Sequence, residues 1–216
     1  MSPQAIAAAI SASHPRGTLL AVAWLLGTVA MSHAAACTRT SSPPSLPVYD
    51  TLPEFQLTDQ DGQPLTRGAL MGHVTVVDFV FTRCPTVCPT LTARMVALHE
   101  RVKHVPRVRF VSISVDPTYD QPERLKAYAR KHGADTPTWR WATGDPHAIV
   151  QVVREGFKQA VHTLDTQTYH ERPEDVVHST RFVLVDSQAR LRGFYSSGDA
   201  DDIQRLESAI AALAGR

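Results

Sequence analysis

Several stretches of the chain concentrate β-branched and aromatic residues into short apolar runs with turn residues at their ends. HVTVVDFVF (His73–Phe81) and VRFVSISV (Val108–Val115) have the length and flanks of buried strands. RFVLVD (Arg181–Asp186), a Ser187-Gln188 turn and RLRGFY (Arg190–Tyr195) read as a hairpin. Between the strands the apolar period lengthens. After Pro89, residues Leu91, Met95, Leu98 and Val102 follow a helical stripe. Asp120-Gln-Pro-Glu123 has the form of a capping box with an early proline, opening a helix that Gly133 closes. Asp145-Pro146 opens another, with Ile149, Val152 and Val153 inward and Gly156 near its end. Asp202, or an aspartate close to it, caps a last helix carrying Ile203, Leu206, Ile210 and Leu213. Strand–helix alternation followed by a hairpin and a terminal helix predicts an α/β sandwich, a mixed central sheet flanked by helices.

The N-terminal part follows a different pattern. From Gly17 to Met31 the chain carries no charge, and small residues follow as SHAAAC, ending at Cys37. A run of about fifteen apolar residues is shorter than the roughly twenty that span a bilayer. It fits a signal-peptide core followed by an Ala-x-Ala type cleavage site. Cys37 stands where a lipoprotein signal places its lipidated cysteine, although Ala34 replaces the usual Leu-like residue. Lipidation at Cys37, an uncleaved N-terminal anchor and plain secretion all place the domain outside the cytoplasm. The segment from Thr38 to Pro53 is rich in Ser, Thr and Pro and reads as a spacer. The expected organisation is a signal peptide or membrane anchor over 1–36, a spacer over 37–51 and a folded domain over 52–216.

Composition narrows the function classes without choosing one. The 216 residues suffice for one ordinary domain with a sizeable core, and the formal net charge is only +1. No basic block or aromatic–basic interleaving marks a nucleic-acid surface. There is no nucleophile elbow, phosphate-binding loop or paired-carboxylate motif. Asp78, inside the first long strand, reads as a packing or hydrogen-bonding residue.

The chemistry gathers at FTRCPTVCPT, which joins that strand to the next helix. Ligand sites in open α/β sheets lie at such carboxyl ends of strands. Pro89 suits a first helical turn, which sets Cys88 at the helix start and Cys84 in the loop before it. Both sulfurs then lie at the positive end of the helix dipole, which favours thiolates. Such thiolates either exchange with disulfides or bind a soft metal such as Cu(I). The Cys-x-x-x-Cys spacing leaves room for an ion and still permits a disulfide. A purely structural disulfide is the competing reading, and zinc fits less well because no second Cys/His cluster accompanies the pair. A metal needs a third ligand. Of the ten histidines, His178 lies just before a strand expected near the centre of the sheet, with His73, His162 and His170 as rivals.

Taken together, these stretches resemble the SCO/SenC family of copper chaperones, thioredoxin-like proteins that assist cytochrome c oxidase assembly. The resemblance runs from Leu52 to Ala214. It is carried by PEFQLTDQDGQPLT, VVDFVFTRCPTVCPT, VSISVDPTYDQPERLKAYARKHG, WRWATGDPHAIVQVVREGF and VVHSTRFVLVDSQARLRGFY. It implies a thioredoxin-like fold with an N-terminal hairpin-like extension, and copper ligands Cys84, Cys88 and His178 holding one ion, as Cu(I) or Cu(II). The implied acceptor is the oxidase subunit carrying the CuA centre, with another copper chaperone as a further partner. The implied location is the extracytoplasmic, periplasmic side of a membrane, reached through the N-terminus. Two positions depart from the family pattern. Thr86 stands where an acidic residue often follows the first Cys-Pro, and Val177 where Asp often precedes the histidine. The same pair also suits a thiol–disulfide oxidoreductase that reduces the acceptor's cysteines before metal insertion. A redox or copper sensor is a third reading.

Overall fold

The computed structural model describes residues 46–160 and 179–215. In chain order its elements are β1 (Asp50–Thr51), β2 (Gln56–Asp59), β3 (Pro64–Thr66), the single turn α1 (Arg67–Leu70), β4 (Val74–Val80), α2 (Val87–Val102), β5 (Val108–Ser114), α3 (Pro122–Lys131), β6 (Trp139–Thr143), α4 (Pro146–Gln151), β7 (Arg181–Val185), β8 (Arg190–Ser196) and α5 (Ala200–Ala214). A π-helical turn, Val152–Gly156, continues α4.

The strands form one sheet in the order β1-β8-β7-β4-β5-β6-β2-β3. Its centre is β4, buried at every position, parallel to β5 on one side and antiparallel to β7 on the other. Burial at every position means that both faces of β4 are covered, which is why its sequence is mostly apolar rather than alternating. β6 continues the parallel half, and the β2–β3 hairpin joins it antiparallel, as the expected N-terminal extension. The fold is thus a thioredoxin-like α/β arrangement with a mixed sheet.

The helices obey the stripes read from the sequence. α2 buries Leu91, Met95, Leu98 and Val102, and α5 buries Leu206, Ile210 and Leu213. Asp199 caps α5 by accepting from the amides of Asp201 and Asp202, while Asp202 itself accepts from the Ser196 amide at 2.9 Å. Gly133 ends α3 with φ +70°, a left-handed value that costs glycine little.

Two local expectations are corrected. No capping box opens α3. Its N-cap is Gln121, which makes no side-chain cap bond, and the Asp120 carboxylate turns inward instead. Donors on half-buried Thr82 and buried Ser114 attract it more strongly than a helix start that Pro122 has already relieved of one amide. The last residues of the Ser/Pro-rich stretch also lie on the sheet rather than apart from it. Tyr49 donates to the Leu191 carbonyl, Leu52 donates to the Ala189 carbonyl, and β1 pairs with β8. The buried Arg192 guanidinium donates to the carbonyls of Leu46 and Pro47, and to Asp186 at 2.7 Å. A buried arginine needs acceptors, and with these carbonyls each of its three nitrogens has one. Among the described residues no helix is long and apolar enough to cross a membrane.

Candidate metal centre

The central strand ends at Val80, whose carbonyl accepts from Val115, and the chain then turns out of the sheet. Phe81 accepts from the Cys84 amide at 3.2 Å, closing a tight loop through Thr82 and Arg83. α2 begins three residues beyond Cys84, so Cys88 and Pro89 fall in its first turn, where a missing proline amide is harmless. Thr86 occupies the N-cap but its side chain makes no cap bond. The Cys84 sulfur takes that place: the Cys88 amide donates to it at 3.3 Å. The Cys88 sulfur in turn accepts from the Phe81 amide at 3.4 Å. The two cysteines are thiols, held beside each other by this pair of amide bonds.

Their environments differ. Cys84 is 7% exposed and Cys88 is 0% exposed, while Pro85, Thr86 and Val87 between them stand out into solvent. Burial pushes the Cys88 thiol far above its ordinary range; the Phe81 amide opposes the shift, and the nearby Cys84 and Asp78 add to it. The helix start alone would favour a thiolate, but at Cys88 desolvation outweighs it. A cation between the sulfurs would supply the charge that burial withholds.

Beneath this pair lies Asp78, fully buried in β4, whose carboxylate oxygens make no well-formed hydrogen bond among the described residues. Burial pushes its pKa up to about 7, with Ser112 on the adjacent strand only partly offsetting the shift. The sequence reading of Asp78 as a packing or hydrogen-bonding residue accords with its full burial in β4 and with the Ser112 side chain that favours its charged form. Its charge is felt at both Cys88 and Tyr128. Tyr128 Oη lies 3.5 Å from the Thr92 hydroxyl, and burial raises its pKa to about 12. Nothing in the local sequence distinguishes Asp78 except its charge inside an otherwise apolar run.

The connection between β5 and α3 grips the loop from the side. Asp120 accepts from the Thr82 amide at 2.9 Å, and Asp116 accepts from Arg83 Nε at 2.7 Å. The Arg83 guanidinium also lies over the Tyr119 ring, 4.7 Å from its centroid.

Of the expected site residues, the structure brings Cys84 and Cys88 together. His178, the rivals His162 and His170, and the lipidation candidate Cys37 lie outside the described residues. His73 precedes β4, with Nδ1 3.1 Å from the Met71 carbonyl. A strand of seven residues separates it from the cysteine loop by about 20 Å, so it is no ligand of this pair. Among the described residues no group of three or more His, Cys, Asp or Glu side chains is arranged to hold an ion. The register nevertheless has a direction. Val77 pairs with Val183 and Thr75 with Val185, so β7 begins, at Arg181, on the side of the sheet where β4 runs out into the cysteine loop.

Comparison with known proteins agrees with this layout. The SCO1/SenC family matches residues 45–215. A SCO1/SenC family lipoprotein from Bacillus anthracis is 35% identical, with a TM-score of 0.68 over 76% of this chain and 95% of its own. BsSco, a member of the Sco family of cytochrome c oxidase assembly proteins in which a disulfide switch has been identified, is 26% identical, with a TM-score of 0.69 over 80% of this chain and 99% of its own. Arabidopsis thaliana ScoI, solved with copper bound, is 27% identical, with a TM-score of 0.61 over 74% of this chain and 96% of its own. With the family match covering most of its length, this chain belongs to the SCO1/SenC family.

Proposed function

We propose that the protein binds one copper ion through Cys84, Cys88 and His178 and passes it on during cytochrome c oxidase assembly, with the subunit carrying the CuA centre as acceptor. The observation that carries this reading is the pair of sulfurs held at the start of α2 by the Cys88 amide. Two adjacent thiolates suit a soft ion such as Cu(I), and an imidazole is a common partner. The start of β7 at Arg181, three residues after His178, lies at the cysteine end of the sheet, which supports His178 as that partner. The copper-bound Arabidopsis relative supports the cargo, and BsSco supports the assembly role.

Copper is cargo here, and the residues do the handling. Cys84, nearer solvent than Cys88, is the sulfur an acceptor thiol reaches first. Cys88, buried behind it, retains the ion until exchange at Cys84 is complete. Another copper chaperone supplies the ion on the extracytoplasmic side. The segment 1–36 acts as signal peptide or anchor and Cys37 as the lipidated residue, a reading supported by the Bacillus anthracis lipoprotein. Anaerobic Cu(I) titration of the full-length protein tests the site. One equivalent should bind tightly to the wild type and weaken with His178→Ala. If the double variant Cys84→Ser, Cys88→Ser binds copper as the wild type does, the reading fails.

The same geometry favours a second reading, a thiol–disulfide oxidoreductase. The Cys84 thiolate attacks one sulfur of an acceptor disulfide and forms a mixed disulfide. Cys88 then attacks Cys84, releasing the acceptor as a dithiol and leaving the pair oxidised by two electrons. The disulfide switch of BsSco supports this chemistry. In this role His178→Ala leaves the exchange rate with an oxidised acceptor unchanged while weakening copper binding.

A further inference from the structure

Thr82 and Arg83, the two residues in front of Cys84, are fastened to carboxylates from a distant part of the chain. Asp120 is 0% exposed, and both of its oxygens are in use. Oδ2 accepts from the Thr82 amide at 2.9 Å and from Ser114 Oγ at 2.6 Å, and Oδ1 accepts from Thr82 Oγ1 at 2.5 Å. Four residues earlier, Asp116 is also fully buried and accepts from Arg83 Nε at 2.7 Å. The connection is itself closed: the Asp120 amide donates to the Asp116 carbonyl at 2.8 Å, and the Asp116 amide donates to Ser114 Oγ at 3.0 Å.

Burying two carboxylates is costly unless each is fully bonded. Here that cost falls on a segment that has no core side chain to anchor, since Thr82 and Arg83 are only half-buried. What the two carboxylates do fix is the backbone leading into Cys84.

We propose that Asp120 is a positioning residue for the copper site: by gripping Thr82 at both its amide and its hydroxyl, it holds Cys84 where its sulfur meets the Cys88 amide. This deepens the copper reading and rests on it for the metal. Asp120 acts only through Thr82. Loosening the grip lets Cys84 sample other positions, and ordering it again then draws on the binding free energy of the ion.

Full-length wild type is compared with Thr82→Val, Thr82→Ser and Asp120→Asn. Thr82→Val removes the hydroxyl donor while keeping shape and backbone, and Thr82→Ser restores the donor. Two readouts are used, the anaerobic Cu(I) Kd from chelator competition and the alkylation rate of Cys84 read by peptide mass spectrometry. Thr82→Val and Asp120→Asn are expected to weaken Cu(I) binding by roughly 10- to 100-fold and to speed Cys84 alkylation. Thr82→Ser should return both to wild-type values. A lost hydrogen bond that served stability alone would lower the melting temperature without changing either readout in the folded protein. The proposal is overturned if folded Thr82→Val matches wild type in both. Should Asp120→Asn fail to fold, the two Thr82 variants decide. Should the wild type bind no Cu(I), the copper reading falls on its own, and the alkylation rates of Thr82→Val and Thr82→Ser still decide the positioning.

Discussion

The Cys88 amide donates to the Cys84 sulfur at 3.3 Å, so one cysteine caps the helix that carries the other. The two thiols are consequently unlike partners. Cys84 faces the exposed Pro85–Val87 rim, and Cys88 lies wholly inside. With burial holding the Cys88 thiol protonated well past neutral pH, Cys84 is expected to react first with an alkylating reagent. Time-resolved peptide mass spectrometry at pH 8 should find Cys84 modified while Cys88 remains largely intact. Equal rates would show that the burial of Cys88 does not persist in solution.

Copper binding inherits this protonation. An ion that takes the Cys88 thiolate must first displace its proton, because the thiol is held above its ordinary range. Each proton displaced lowers the apparent affinity by about tenfold for every unit of pH drop. Cu(I) competition titrations between pH 8 and pH 6 should therefore weaken by at least that factor per unit. A flat profile would mean that Cys88 is not a ligand.

Asp78 gives the fold a pH dependence of the opposite kind to most carboxylates. Its folded pKa is raised to about 7, against an ordinary value of 3.8. The folded state thus holds this proton more tightly than the unfolded state. That contribution is fully present below the ordinary carboxylate range and is lost as pH rises through about 7. Over that window the loss is of the order of 4 kcal/mol, from roughly three pK units at about 1.4 kcal/mol each. Urea unfolding should find the wild type weaker at pH 8 than at pH 4 from this group. Asp78→Asn, which cannot ionise, should remove most of that slope and be the more stable protein at pH 8.

Gly193 tests the packing of the β7–β8 edge. A Cβ at this position would meet the Tyr195 ring at 2.5 Å, and Tyr195 is buried where it lies. The ring covers the bare backbone beside a register shift between Leu184 and Val185. Gly193→Ala must push that ring aside, and a loss of about 1–3 kcal/mol is expected by thermal or urea unfolding. Gly193→Ala combined with Tyr195→Leu should recover part of it.

What the sequence made legible was whatever depends on neighbours in the chain. The β-branched run around Val76 and Val77 identified the central strand, the stripe from Leu91 to Val102 identified α2, and Pro89 fixed Cys88 in its first turn. What escaped depends on partners far away in sequence. Asp120 looks like a helix cap beside Pro122, and only the folded chain brings Thr82 within its reach. Leu46 and Pro47 look like spacer until Arg192 is found buried and in need of acceptors. At Cys88 the helix dipole was readable and desolvation was not, because burial is a property of the packed molecule. Position left His178 among several histidines, and the family resemblance chose it; the strand it precedes begins at the cysteine end of the sheet.

A helix capped by sulfur has a lid whose latch is also its working part. A sulfur bound to an ion or joined in a disulfide keeps two lone pairs, so what changes for the Cys88 amide is the charge and position of its Cys84 acceptor. A change at that sulfur therefore bears directly on the opening turn of α2, beside the exposed residues Pro85, Thr86 and Val87.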